Sequence, residues 1–262
     1  VGDNEQDESV DVGENKTFLA HLEDLRWMLV KIFGALAVAM AVCFIYRKEI
    51  VRIYLIPLKV VTENPESYLK SFGVMDPLSL SMQIAFYAGV IFALPLLLYF
   101  IGEFVLPALS LKEKKMISPV FFMATFLFLL GVAFAYFWLL PITLQFMFND
   151  SKYLGFEPSW AVMEYFSFVS SFVVSFGLAF ELPVIVLILN HLGILPARIL
   201  SSGRRYAVLI IVIFAAIITP GSDLFSLVAL SIPLYFLYEL SIIVAIVMEK
   251  RKGLRSTQNH DT

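Results

Sequence analysis

Apolar residues in this chain fall in long unbroken runs, unlike the alternating or every-third-position patterns of a water-soluble fold. Six runs stand out, at about 27–46, 78–109, 117–141, 164–190, 207–218 and 224–248. A helix needs roughly 20 residues to cross the hydrocarbon core of a bilayer. Four runs reach that length comfortably, and the second is long enough to tilt or bend. The fifth, twelve residues, gives only about 18 Å of helix at 1.5 Å per residue. It is split from the sixth by TPGSD, Thr219 to Asp223, a turn sequence. The pair reads as a short hairpin that would thin a full-thickness bilayer locally. The pattern predicts an all-α polytopic membrane protein with six transmembrane helices, the fifth and sixth short.

Three spans contain a proline, Pro95, Pro183 and Pro233, each of which removes a helix donor and tends to bend the helix. Asp76-Pro77 reads as an N-cap followed by proline at the first helical position. Ahead of the first span, Lys16 to Val30 places Phe18, Leu22, Leu25 and Leu29 at helical spacing, an amphipathic helix running into the membrane with Glu23 and Asp24 on its polar side. Residues 17–250 form one membrane domain on this reading, and 251–262 form a flexible cytoplasmic tail.

Composition agrees with the pattern. Of 262 residues, 60% are hydrophobic and only 16% charged, against roughly 25% charged in soluble domains. The net charge is −3, unevenly spread. Residues 1–16 hold six acids and one base with three valines as their only apolar residues, and read as a disordered acidic tail. That stretch lacks the basic region and short apolar core of a signal peptide, so the first apolar run is expected to stay as a signal anchor. With the N-terminus inside, inside segments carry thirteen of the nineteen Lys and Arg residues, which favours both termini in the cytoplasm. The lone cysteine, Cys43, excludes an internal disulfide and a CxxC redox pair.

The candidate chemistry is sparse. HLEDL at His21 is not HExxH, and His21, His191 and His260 lie in three separate segments, so neither a metal site nor a catalytic centre is expected. No cofactor is expected either. Three carboxylates fall within apolar runs: Glu103, Glu181 and Glu239. A charge at the bilayer centre costs roughly 2.5–3.5 kcal/mol. Glu181 is therefore either a protonated or hydrogen-bonded residue facing other helices, or a contact for substrate, proton or partner. Glu103 and Glu239 read as structural or interfacial. Ser110 and Glu113 in SLKEKK fit a capping box, S-x-x-E, which would explain Glu113 as a helix cap.

HLEDLR, FVLPALSLKEKK, FLLGVAFAYF, FGLAFELP, RRYAVL and ITPGSD occur in that order over about residues 18–248, and together they resemble the TatC family, the multispanning core of the twin-arginine translocase. The resemblance implies six transmembrane helices in a concave, glove-like arrangement in the bacterial cytoplasmic (inner) membrane, with both termini cytoplasmic. It implies binding of the twin-arginine signal peptides of folded cargo, recruitment of TatA- and TatB-like single-span partners, association with further copies of the same chain, and transport driven by the proton-motive force. No nucleic acid is expected.

The family's two signal-peptide acids fall on Asp24 and Glu113, with Glu23 adjacent and able to share the role. Arginine's planar fork pairs bidentately with carboxylates, so two acids on one surface can answer two arginines. Glu181 matches the glutamate said to make a polar spot on the concave side, and Thr219 and Asp223 match the turn where the small partners dock. Asp24 stands where glutamate is usual, Tyr99-Phe100-Ile101-Gly102 replaces a Tyr-Gln-x-Trp pattern, and Glu103 replaces a small apolar residue. Two rival readings share the pattern: a proton-coupled secondary transporter and a passive membrane scaffold. No inverted repeat or paired broken helices support the transporter.

Overall fold

The computed structural model describes residues 7–105, 111–191, 195–218 and 224–258. The chain is helical almost throughout. Helix α1 (Asp7–Ile45) is followed by α2 (Arg47–Leu55), a 3₁₀ turn over Pro57–Val60, α3 (Pro65–Tyr68) and strand β1 (Leu69–Lys70). Helices α4 (Asp76–Val105) and α5 (Leu111–Phe134) come next, then a π turn over Ala135–Leu139, α6 (Leu140–Tyr153) and strand β2 (Trp160–Ala161). The remainder is α7 (Val162–Ala179), α8 (Leu182–His191), α9 (Ala197–Ser202), α10 (Arg204–Ile218) and α11 (Leu224–Gln258). Among the described residues four segments are long and apolar enough to cross a membrane: Leu22–Ile45, Asp76–Phe104, Pro119–Tyr153 and Val162–Asn190. Within α11 the apolar stretch is Ser231–Val247. The fifteen residues of α10 give about 22 Å of helix.

The near face is the one where α1 enters the bundle and α4 meets α5; the far face carries β1 and β2. The connection between α1 and α4 is a folded cap and not an open loop. Leu58 is fully buried, Tyr54 stacks on Phe166 of α7 at 5.5 Å, and Tyr165 donates its hydroxyl to the Tyr54 carbonyl at 2.7 Å. β1 pairs in parallel with β2, Leu69 opposite Trp160.

The prolines act differently from one another. α4 and α11 run unbroken through Pro95 and Pro233. Pro141 offers no N–H to the Phe137 carbonyl, and the helix takes up the defect as the π turn just before it. Pro183, by contrast, coincides with a break. There the last turn of α7 tightens, with Glu181 N–H donating to the Leu178 carbonyl at 3.1 Å, and the chain restarts as α8 at Leu182. Asp76 does not cap α4 in the expected way: its carboxylate reaches backwards, accepting from the N–H groups of Phe72 and Gly73 at 3.0 and 2.8 Å.

Three buried clusters hold the bundle among the described residues: one joins Cys43 of α1 to Ala85 and Ala88 of α4, and two others are more extensive. The larger joins the cap, α6, α7 and parts of α10 and α11 around Phe166, Phe172 and Phe176. The smaller joins Val186 of α8, Ala197 and Leu200 of α9, and Ile242 and Ala245 of α11. α5 crosses α7 closely because both helices place glycine at the contact. A Cβ on Gly131 would lie 2.7 Å from the Phe180 ring, and one on Gly177 would lie 2.6 Å from the Phe128 ring. Small residues let helix backbones approach in this way.

Candidate functional site

One ion pair joins α1, the helix that carries Glu23 and Asp24, to α4. Lys31 of α1 meets Glu103 of α4 with Nζ 3.0 Å from Oε2. The pair is about half exposed, 45% and 47%, and the ammonium also lies 5.8 Å from the Phe100 ring centre. The pair ties α1 to α4 close to the end of α4. This accounts for Glu103, which the sequence left without a specific partner.

Glu23 and Asp24 are exposed, with no ion partner among the described residues. Asp24 precedes Lys31 by seven residues, about 10 Å along the helix. Glu113 is in the first turn of α5. The side chain of Glu113 lies outside the described residues, and so do Thr219 and Asp223.

Glu181 stands at the break between α7 and α8. It is buried, 7% exposed, and its Oε1 has no hydrogen-bond partner. A buried polar atom left unpaired costs about 1–3 kcal/mol, so the position is held at a cost by the packing around it. The Gly131 contact on Phe180 fixes the preceding residue against α5.

A polar groove that the sequence analysis did not single out opens between α4 and α7, with a volume of about 890 Å³. Gln83 and Tyr87 line it from α4, and Glu164, Ser167, Ser171 and Ser175 line it from α7. The Tyr87 and Ser171 hydroxyls are hydrogen-bonded at 3.1 Å. The signal was legible: those four α7 residues lie three or four apart along one helix face inside an otherwise apolar run. Glu181 is not among the groove-lining residues.

The other embedded acids are structural. Glu239 of α11 takes a forked pair from Arg204 of α10, Nε to Oε1 at 2.9 Å and Nη2 to Oε2 at 3.2 Å, and accepts the Tyr235 hydroxyl at 2.7 Å. Glu249 accepts from the Asn190 side chain at 2.8 Å and from the Ala197 N–H, tying α8 and α9 to the near-face end of α11. Among the described residues no three His, Cys, Asp or Glu side chains group as a metal site.

Comparison with known proteins agrees with this arrangement. The family model described as Sec-independent protein translocase protein (TatC) matches residues 20–233. The Bacillus subtilis Sec-independent protein translocase protein TatCy is 32% identical over 245 residues, covering 94% of both chains. The Aquifex aeolicus TatC is 34% identical over 237 residues, 88% of this chain and 95% of that one. The Akkermansia muciniphila TatC is 36% identical over 190 residues, 72% of this chain, and the match spans only 55% of that longer protein. A crystal structure of the twin arginine translocase receptor TatC superposes with a TM-score of 0.78 at 34% identity, covering 87% of this chain and 98% of that one. The chain thus belongs to the TatC family, membrane components of the Sec-independent, twin-arginine protein translocase and not enzymes.

Proposed function

We propose that this protein is the receptor and core of a twin-arginine translocase in a bacterial inner membrane, with the near face cytoplasmic. Six membrane-crossing segments form a concave bundle with both termini on that face. Asp24 and Glu113 receive the paired arginines of a cargo signal peptide, and Glu23 can stand in for Asp24. The observation that carries this reading is that Glu23 and Asp24, at the near-face end of the apolar segment Leu22–Ile45, are exposed with no ion partner among the described residues and so are open to an arginine fork. At that level an arginine fork meets headgroup water on one side and a lower dielectric on the other. A carboxylate there pairs more strongly than in bulk water.

TatA- and TatB-like single-span partners are recruited through the intramembrane surface that includes Glu181 and through the α10–α11 turn with Thr219 and Asp223. The open hydrogen-bonding capacity of Glu181 Oε1 supports an incoming polar donor. Several copies of the chain act together, and the proton-motive force drives transport of folded cargo.

Photo-crosslinking from positions beside Asp24 and Glu113 tests the receptor role. A twin-arginine signal peptide is expected to crosslink at both places, and its twin-lysine counterpart only weakly. Equal crosslinking of the two peptides would refute arginine recognition here.

A further inference from the structure

The far face presents two apolar tips that the protein leaves uncovered. The first is the turn Ser71–Asp76. Asp76 Oδ2 closes it by accepting from Phe72 N–H, Gly73 N–H and the Ser71 hydroxyl, at 3.0, 2.8 and 3.0 Å. Hydrogen bonds alone build this turn, and its apolar side chains point outward: Phe72 is 77% exposed and Val74 97%. The second tip ends α6, where Leu154 and Phe156 are 62% and 66% exposed on either side of Gly155. The β1–β2 pairing joins the two loops, so they form one far-face unit.

The height of the tips identifies what meets them. Val74 is two residues ahead of the apolar segment Asp76–Phe104, and Leu154 directly follows the segment Pro119–Tyr153. Both tips therefore lie just beyond the far-face ends of those segments, the second after the polar helical turn 149–152. Lys70 and Lys152 flank them, both exposed, and the exposed acids Asp150 and Glu157 stand beside the second tip. Such lysines lay their stems along apolar surface and place the ammonium among lipid phosphates. Large outward apolar residues at that level, with cations beside them, match the headgroup–acyl boundary of a bilayer.

We infer that the two tips are interfacial anchors that embed in the far-face leaflet, so that the lipid surface itself is the partner of this part of the cap. The anchors fix the height of the cap over the outer ends of α6 and α7 without crossing the membrane. The inference needs only that α4 and α6 reach the far-face boundary, and is independent of signal-peptide binding.

The test uses the full chain carrying Cys43→Ala and a single spin-labelled cysteine at Val74 or Leu154, in phosphatidylethanolamine–phosphatidylglycerol vesicles. Collision with oxygen, which concentrates in hydrocarbon, is compared with collision with a water-soluble nickel chelate. Both sites are expected to favour oxygen several-fold, like a label at exposed Phe126 within the apolar segment Pro119–Tyr153 and unlike one at exposed Glu63. Preference for the nickel chelate would place the tips in water and overturn the inference. Low collision with both agents would mean that protein covers the tips, and would overturn it equally.

Discussion

At the residue scale, the arginine site and the capping box make opposite forecasts for Glu113. Glutamine caps a helix as glutamate does, but offers no charge to a guanidinium. Glu113→Gln is therefore expected to fold and insert normally, yet to bind a twin-arginine peptide no better than a twin-lysine one. Removal of one acid should weaken peptide binding about ten-fold, corresponding to about 1.4 kcal/mol; removal of both Asp24 and Glu113 should nearly abolish arginine-dependent binding. Retained arginine preference in Glu113→Gln would leave that residue as a cap only.

Glu181 invites a different comparison. Glu181→Ala should leave peptide binding intact while weakening later assembly with a single-span partner, and Glu181→Gln should be milder because an acceptor survives. Wild-type transport by both variants would make the carboxyl merely structural. For Lys31 and Glu103, a double-mutant cycle with Lys31→Met and Glu103→Leu should give a coupling of about 0.2–1 kcal/mol, the range of exposed pairs. The double variant should be better tolerated than either single one, since neither charge is then left alone near lipid.

At the element scale, the close crossing of α5 and α7 depends on the absence of two Cβ atoms. Gly131→Ala or Gly177→Ala should cost about 1–3 kcal/mol through overpacking, read as a lowered thermal midpoint in detergent. Gly131→Ala presses on Phe180, next to Glu181, so it should also impair partner assembly more than peptide binding. The apolar runs made the main elements legible, because lipid demands continuous helices and punishes interruptions. Run length alone could not show which proline would break its helix. Pro95 and Pro233 look in sequence like Pro183, and Pro141, which widens its helix into a π turn, was not singled out. Asp76 has the sequence of a forward cap, but its backward hydrogen bonds depend on a turn geometry that spacing does not specify. Glu103 was visible as an oddity; its partner lies 72 positions away on another helix and could not be read from the chain alone.

At the scale of the whole molecule, the proposed orientation has a direct readout. In a Cys43→Ser background, a cysteine at Lys114 should resist an impermeant reagent added to intact cells, and one at Glu157 should react. Labelling of Lys114 from outside would invert the assignment. The two more extensive buried clusters divide the segment Val162–Asn190 between them. α7 is held by the cap and α5, whereas α8 packs chiefly on α11 and is bound to its end through Asn190 and Glu249. Mechanically, then, this span behaves as two levers end to end and not as one rod. A push arriving at the near-face end of α11 is passed into α8 and dissipates at Phe180–Glu181, while the far-face lever stays clamped by the cap. In hydrogen–deuterium exchange, the amides of α8 should slow and quicken together with those of α11, out of step with α7, with which α8 shares a single apolar run.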